Sequence, residues 1–302
     1  MAMRVATFAQ TNTMISDALR IQSVMANEQI QESSGQISSD FGGYGSTAQH
    51  VVNLQVSVTR AQSYVDAATL ADSRVQVMYS AVGSMTDMVT QLRSQLSAAS
   101  TGSSTEANSA IATAQQYLEQ MGSLLNTQYD GQYVFAGGKT ETAPVDITSF
   151  ATGTGSAATA DTSYYSGDGE IASVRVSADQ AVSYGVTADN SAFEEVMRVL
   201  KFVANSTSLS SSDITQALDL ASTALDDTVA VQARLSGAAS QIETASTRQS
   251  DYKSFAETLS SDLTGVDVAA ITAQLSTYQS QLTASYSALG KILSMNLASY
   301  LK

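Results

Sequence analysis

Apolar side chains recur every three or four residues along most of this chain, and the longest run sets the first expectation. It passes from Val51 through Leu54, Val58, Ala61, Val65, Ala68, Asp72, Val75 and Tyr79 to Val82, with Asp72 as its one polar break. Spacings that alternate three and four keep one stripe on one side of a helix, the pattern of a coiled-coil seam. Val52, Leu54, Val56 and Val58 alone would also fit a strand, but the longer series decides for helix. The step from Val82 to Met85 is three where four is due, after which the stripe resumes through Val89, Leu92 and Leu96; such a stammer overwinds a supercoil. The predicted helix is about 70 Å long at ~1.5 Å per residue.

Two further seams follow. After a Gly/Ser/Thr break at Ser100 to Ser104, one passes through Ile111, Ala114, Leu118, Met121 and Leu125. The other runs from Val231 through Leu235, Ala238, Ile242, Ala245, Gln249, Tyr252 and Ala256 to Leu259. Shorter amphipathic pieces are Phe193, Val196, Leu200, Val203 and Ile214, Leu218, Ala221, Leu225. Each stripe is too narrow to stabilise an isolated helix, and an antiparallel bundle buries them all.

The segment from Ala136 to Ala192 lacks this period and holds seven of the 18 glycines and the sole proline, Pro144. Val174 and Val176 alternate with polar neighbours, as do Val182, Tyr184 and Val186, and Asp168-Gly169 is a hairpin-type turn sequence. A small inserted β-rich domain is expected. The two ends complete the pattern. Met14, Ala18, Ile21 and Met25 form a stripe flanked by Ile15 and Leu19 that fades at Glu28. Ile271, Leu275, Tyr278, Leu282, Ser285, Leu289 and Ile292 keep a heptad register behind Asp267, a candidate N-cap. Neither end has a partner close in sequence, so each must find one across the chain or on another molecule.

The fold class expected is therefore mainly α: an elongated antiparallel helical bundle with terminal coiled-coil helices and the inserted β-rich domain. The expected divisions are residues 1–45, a terminal assembly helix pairing with 266–302; residues 46–135 and 193–265, the helical core; and residues 136–192, the insert.

Composition narrows the function. With 14 basic against 28 acidic residues the formal charge is −14, and the basic residues are scattered singly, which argues against nucleic acid as a partner. Cysteine is absent, excluding disulfides and thiolate catalysis. No stretch approaches the ~18 apolar residues of a membrane span. The first dozen residues lack a continuous apolar run, so no Sec-type cleaved signal peptide is read there.

The single His50 rules out histidine-rich metal sites. Gly137-Gly138-Lys139-Thr140 resembles the end of a phosphate-binding loop, but Tyr133 stands where the first glycine belongs. Ser166-Gly167-Asp168-Gly169-Glu170 lacks the alternating oxygen ligands of a calcium loop and reads as a turn. Glu194-Glu195 and Asp226-Asp227 read as solvated helix faces, and Asn205-Ser206-Thr207 is a formal glycosylation sequon. No catalytic residue, cofactor or metal site is expected, and the chain reads as a structural protein rather than an enzyme.

Gln31-Glu32-Ser33-Ser34-Gly35-Gln36-Ile37, behind an amphipathic helix, resembles the Ser-Ser-Gly turn of the bacterial flagellin family, and Ala233-Arg234-Leu235 resembles its C-terminal core segment. Three segments look more like the family's hook-filament junction members: Asp130-Gly131-Gln132-Tyr133-Val134-Phe135-Ala136-Gly137, Tyr164 to Ile171 with Val174-Arg175-Val176, and the ending Leu297-Ala298-Ser299-Tyr300-Leu301. The sequence departs from the family at Gln36, where a basic residue is usual, and at Asp40 to Gly45, which replaces a paired-aspartate motif.

The resemblance implies a structural subunit of the bacterial flagellum, exported without a cleaved signal peptide through the flagellar type III apparatus. Its partners would be hook-associated protein 1, flagellin, copies of itself in a ring, and an export chaperone, with neither nucleic acid nor membrane among them. The assembly interface would be Met14, Ala18, Ile21 and Met25 with Ile271, Leu275, Tyr278, Leu282, Leu289 and Ile292. Flagellin proper, polymerising without limit, is the alternative reading; a third is a surface enzyme or binding module on the insert.

Overall fold

The computed structural model describes residues 2–150, 152 and 155–294. The helices are α1 (Ala2–Ser34), α2 (Ala48–Thr101), α3 (Ser104–Leu125), α4 (Ile147–Phe150), α5 (Ser191–Ala204), α6 (Ser211–Thr264) and α7 (Val268–Ser294). Two small antiparallel ladders join them: β1 (Gln128–Tyr129) with β2 (Gln132–Tyr133), and β3 (Ser173–Arg175) with β4 (Ala181–Ser183). The chain forms two compact units, one of residues up to Thr59 and from Lys253 onward, the other Arg60–Tyr252.

Helix starts follow local chemistry. Ser103 and Glu106 make a reciprocal capping box for α3. Ser210 and Asp213 do the same for α6, the Ser210 amide donating to Asp213 Oδ2 at 2.9 Å and the Asp213 amide to Ser210 Oγ at 3.2 Å. Asp267 Oδ1 accepts the Ala270 amide at 3.0 Å and caps α7, as its position predicts. Along the exposed faces Ser and Thr hydroxyls repeatedly bond the carbonyl one turn back, as Thr59 does to Gln55, Thr69 to Val65 and Thr90 to Thr86.

In the Arg60–Tyr252 unit the long helices bury one continuous seam each. On α2 it is Ala68, Ala71, Val75, Met78, Val82, Met85, Val89, Leu92 and Leu96, alternating three and four without a break. This corrects the predicted stripe: Asp72 and Tyr79 lie off the seam, Ala71 and Met78 lie on it, and the step at Val82 to Met85 is regular. The three-residue slip falls instead between Val65 and Ala71, where consecutive steps are both three. Asp72 marks the misplaced phase, since burying it unpaired costs more than turning the helix to bury alanine.

On α6 the buried row is Ile214, Ala217, Ala221, Ala224, Thr228, Val231, Leu235, Ala238, Ile242 and Ala245. The two pieces read separately are one helix, with Ala217 and Ala224 innermost and Leu218 and Leu225 sealing the flank half-buried. Small residues at the centre let neighbouring helices approach closely. Farther along, Tyr252 is 49 % exposed and Leu259 is also exposed, so these two predicted seam positions face solvent.

Residues 126–190 have little regular strand. The β1–β2 hairpin turns at Asp130 and Gly131, both at positive φ, and so lies before the segment where strand was expected. The β3–β4 pair, register Val174↔Val182, turns through residues 176–180 rather than at Asp168-Gly169. The segment shares the core of α2, α3, α5 and α6 through Phe135, Val145, Phe150, Tyr164, Val176 and Val186. Asn126 pins it like a backbone partner, donating to the Val145 carbonyl at 2.8 Å and accepting its amide at 3.0 Å. The buried Tyr164 donates to the Ala188 carbonyl at 3.0 Å, and burial pushes its phenol far above the ordinary range.

The Glu194-Glu195 pair corrects another expectation. Glu194 is 4 % exposed and accepts the Asp161 amide at 2.8 Å, with Arg198 Nε 3.1 Å away. Lys201 Nζ donates to Asp161 Oδ2 at 2.9 Å and sits 4.1 Å from the Phe150 ring centroid. Hydrogen bonding from Ser163 and then from Lys201 lowers the Asp161 carboxyl from 3.8 to about 2, whereas burial and then Asp227 raise Glu195.

Two outcomes follow. Leu92→Ala, at a fully buried seam position, lowers stability by about 2–5 kcal/mol in urea unfolding, whereas Leu70→Ala, more than half exposed, changes it by less than about 0.5 kcal/mol. A carboxyl depressed by folding stabilises fully above its unfolded pKa and loses that contribution as pH falls through the folded value. Stability therefore drops between about pH 4 and pH 2 more steeply in the native protein than in Asp161→Asn, as thermal unfolding against pH will read.

Candidate assembly interface

The motifs weighed for chemistry are engaged with one another. Asp168 Oδ1 accepts the Gly138 amide at 2.7 Å and the Glu170 amide at 3.1 Å, and Lys139 Nζ reaches the Gly167 carbonyl at 3.3 Å. The phosphate-loop look-alike and the acidic turn thus close on each other. Gly137 has φ 70°, and a Cβ there would lie 2.4 Å from the Asp168 carbonyl oxygen, so the interlock requires glycine. The amide bonds hold the Asp168 carboxyl below its ordinary value. Among the described residues no cluster of three or more His, Cys, Asp or Glu is placed to hold a metal ion.

The terminal helices carry the remaining candidate positions. Within the first unit α1 packs antiparallel on α7. Gln22 Nε2 donates to the Tyr286 hydroxyl at 2.8 Å, and the Thr272 hydroxyl reaches Glu32 Oε1 at 2.8 Å, in competition with the Val268 carbonyl on its own helix. As α1 is followed back from 32 to 22, its partners on α7 advance from 272 to 286. Ala18, Ile271, Leu275 and Leu282 are buried, and Met14, Ile21, Met25, Tyr278, Leu289 and Ile292 are half-buried. The ten predicted residues thus lie on one helix pair of one chain.

Sequence reasoning missed three features of this unit. The α1 stripe continues through Glu28, which is half-buried, its Oε2 having no hydrogen-bond partner among the described residues. Its charge hid it from an apolar count, although its spacing of three from Met25 was visible. A second row on α1, Ile15, Leu19 and Ile30, is 40, 60 and 58 % exposed, set about a third of a turn from the first. The third feature is the backbone clasp where the helices begin to pair. Ile37 N donates to the Thr264 carbonyl at 2.8 Å, and Val266 N to the Gly35 carbonyl at 3.1 Å. Gly35 stands at φ 68° after the end of α1, and the Gln31 side chain donates to the Ile37 carbonyl at 2.8 Å.

Residues 5–140 match the bacterial flagellin N-terminal helical region. No curated protein matches the chain by sequence. Among solved structures, a flagellar hook-associated protein of Vibrio parahaemolyticus has a similar fold, with TM-score 0.59 and 15 % identity over 75 % of this chain and 99 % of that one. Bacillus cereus FlgL aligns at TM-score 0.49 and 15 % identity, over 70 % and 98 % of the two chains. The flagellar hook-associated protein 3 of Legionella pneumophila aligns at 0.46 and 14 %, over 71 % and 97 %. The ending Leu297 to Leu301, one of the resembling segments, lies outside the described residues.

Leu282→Asp puts a carboxylate into the α1–α7 seam, and burial of an unpaired charge costs several kcal/mol. The expected result is loss of α1–α7 pairing, while a tryptic core within Arg60–Tyr252 persists in limited proteolysis. Cooperative loss of that core would contradict the assignment.

Proposed function

We propose that this chain, which carries a bacterial flagellin N-terminal helical region over residues 5–140, is a structural subunit of the flagellum acting as the adaptor at the hook-filament junction, the role of hook-associated protein 3. The exposed row Ile15, Leu19 and Ile30 carries the assembly part of the reading. It leaves apolar side chains of α1 uncovered once the first stripe is occupied by α7, and a second copy or a neighbouring flagellar subunit is their occupant.

Likeness to a hook-associated protein supports the junction over the filament, and so do the resembling segments at Asp130 to Gly137 and Tyr164 to Ile171. In this reading one end of a ring of copies meets hook-associated protein 1 and the other meets flagellin. The subunit reaches its place through the type III export channel, escorted by a chaperone, and performs no catalysis.

A deletion strain tests the proposal. Intact hooks without filaments and flagellin shed into the medium are expected, and filaments of normal length would sink it. Long homopolymers grown from purified protein after salting-out would favour the filament subunit instead.

A further inference from the structure

We propose that Arg198 is a two-position cation whose partner is chosen by the charge on Glu195. With Glu195 neutral it holds Glu194 and the Ala157 carbonyl; with Glu195 ionised it turns to that carboxylate and lets the backbone around Ala157 loosen from α5. The device lies within the Arg60–Tyr252 unit and stands whether or not the junction role holds.

Three observations carry it. First, one turn of α5 holds a buried donor and a buried acceptor that both lack hydrogen-bond partners among the described residues, Arg198 Nε and Glu195 Oε2. Arg198 Nε lies 3.1 Å from Glu194 Oε1, an ion pair by distance in which the N–H is not aligned to donate. Its Nη2 is 3.9 Å from Glu195 Oε1, too far for a hydrogen bond but close enough for a small rotation to make one. The Glu195 side chain is 15 % exposed, so its ionised form needs a compensating cation and its neutral form does not.

Second, the guanidinium has room to move and a contact to release. Arg198, Lys201, Asp161, Phe150 and Thr159 line a cavity of about 270 Å³, so reorientation does not require repacking a filled core. In its present position Arg198 Nη1 donates to the Ala157 carbonyl at 2.7 Å. The neighbouring ties do not pass through Arg198: Glu194 Oε1 accepts the Asp161 amide at 2.8 Å, and Lys201 Nζ donates to Asp161 Oδ2 at 2.9 Å. Asp161 is therefore the fixed end, and residues 156–160 are the part released.

Third, the charged groups that bear on Glu195 set the direction. Burial, then the Asp227 carboxylate on α6, hold its carboxyl above the ordinary glutamate range; Arg198 opposes them and Glu194 adds to them. A carboxyl raised by folding stabilises fully below its unfolded pKa and loses that contribution as pH rises through the folded value. Asp161, held down at about 2, stays ionised over the same range, so its bond to Lys201 is not part of the change.

NMR titration of the deuterated full-length protein from about pH 4 to about pH 8 tests the proposal, with the Glu195 side-chain carboxyl carbon and the backbone amides as readouts. Glu195 should titrate above 4.5, and the amides of residues 156–160 should shift with the same midpoint. Above that midpoint their hydrogen exchange, corrected for the intrinsic pH dependence, should be roughly 5-fold faster, with the Asp161 and Ser163 amides unchanged. Glu195→Gln should abolish the step and keep the segment in its low-pH state throughout, and Asp227→Asn should move the midpoint down. The proposal is overturned if Glu195 titrates at or below 4.5, if residues 156–160 follow a different midpoint, or if their step persists in Glu195→Gln.

Discussion

The constraint on which the rest of this fold depends is the burial of long helical seams built largely from small side chains. α6 presents Ala217, Ala221, Ala224, Ala238 and Ala245 on its buried row, and α2 presents Ala68 and Ala71 before larger residues take over. Alanine contributes little area per residue, about 25 cal/mol for each Å² removed from water, so such a seam needs length. Extending it over many turns supplies the burial that bulk would supply in a shorter helix. The larger groups, Met78, Met85, Leu92, Leu96 and Leu235, fill the spaces that alanine leaves elsewhere.

A long, weakly charged helix also needs its outer face satisfied. Serine and threonine do this by bonding back into the helix, which keeps polar groups matched without adding ions. Charge is used where irregular backbone needs fixing. Glu194, Arg198, Lys201 and Asp161 tie the stretch before Tyr164 to α5, and Asp168 ties the stretch after it to Gly138. Glu194, which looks like part of a solvated face from its sequence, is buried there because the Asp161 backbone amide needs an acceptor.

That distinction explains what was legible beforehand. The helices and the Asp267 cap follow from period and local chemistry, both of which are encoded within a few turns. The phase of the α2 seam was misread around Asp72, because Ala71 and Met78 serve as well as Tyr79 in a count of apolar positions and only packing chooses between them. Strand content in residues 136–192 was overestimated for a related reason. Val182, Tyr184 and Val186 do alternate inward, yet the regular ladder lasts three residues, since the segment's partners are helices and loops more than strands. Glu28 and the clasp depend on contacts across more than two hundred residues, beyond the reach of any periodicity.

The interlock of Gly137 with Asp168 has an evolutionary corollary. A side chain at 137 would collide with the backbone of 168, and loss of the carboxylate would strand the Gly138 amide. Neither position can drift alone without disturbing the fold of the other, although thirty residues separate them. Across lineages the two should change together or stay as they are, which makes this pair a heritable signature by which members sharing this loop architecture can be told from those whose insert was rebuilt.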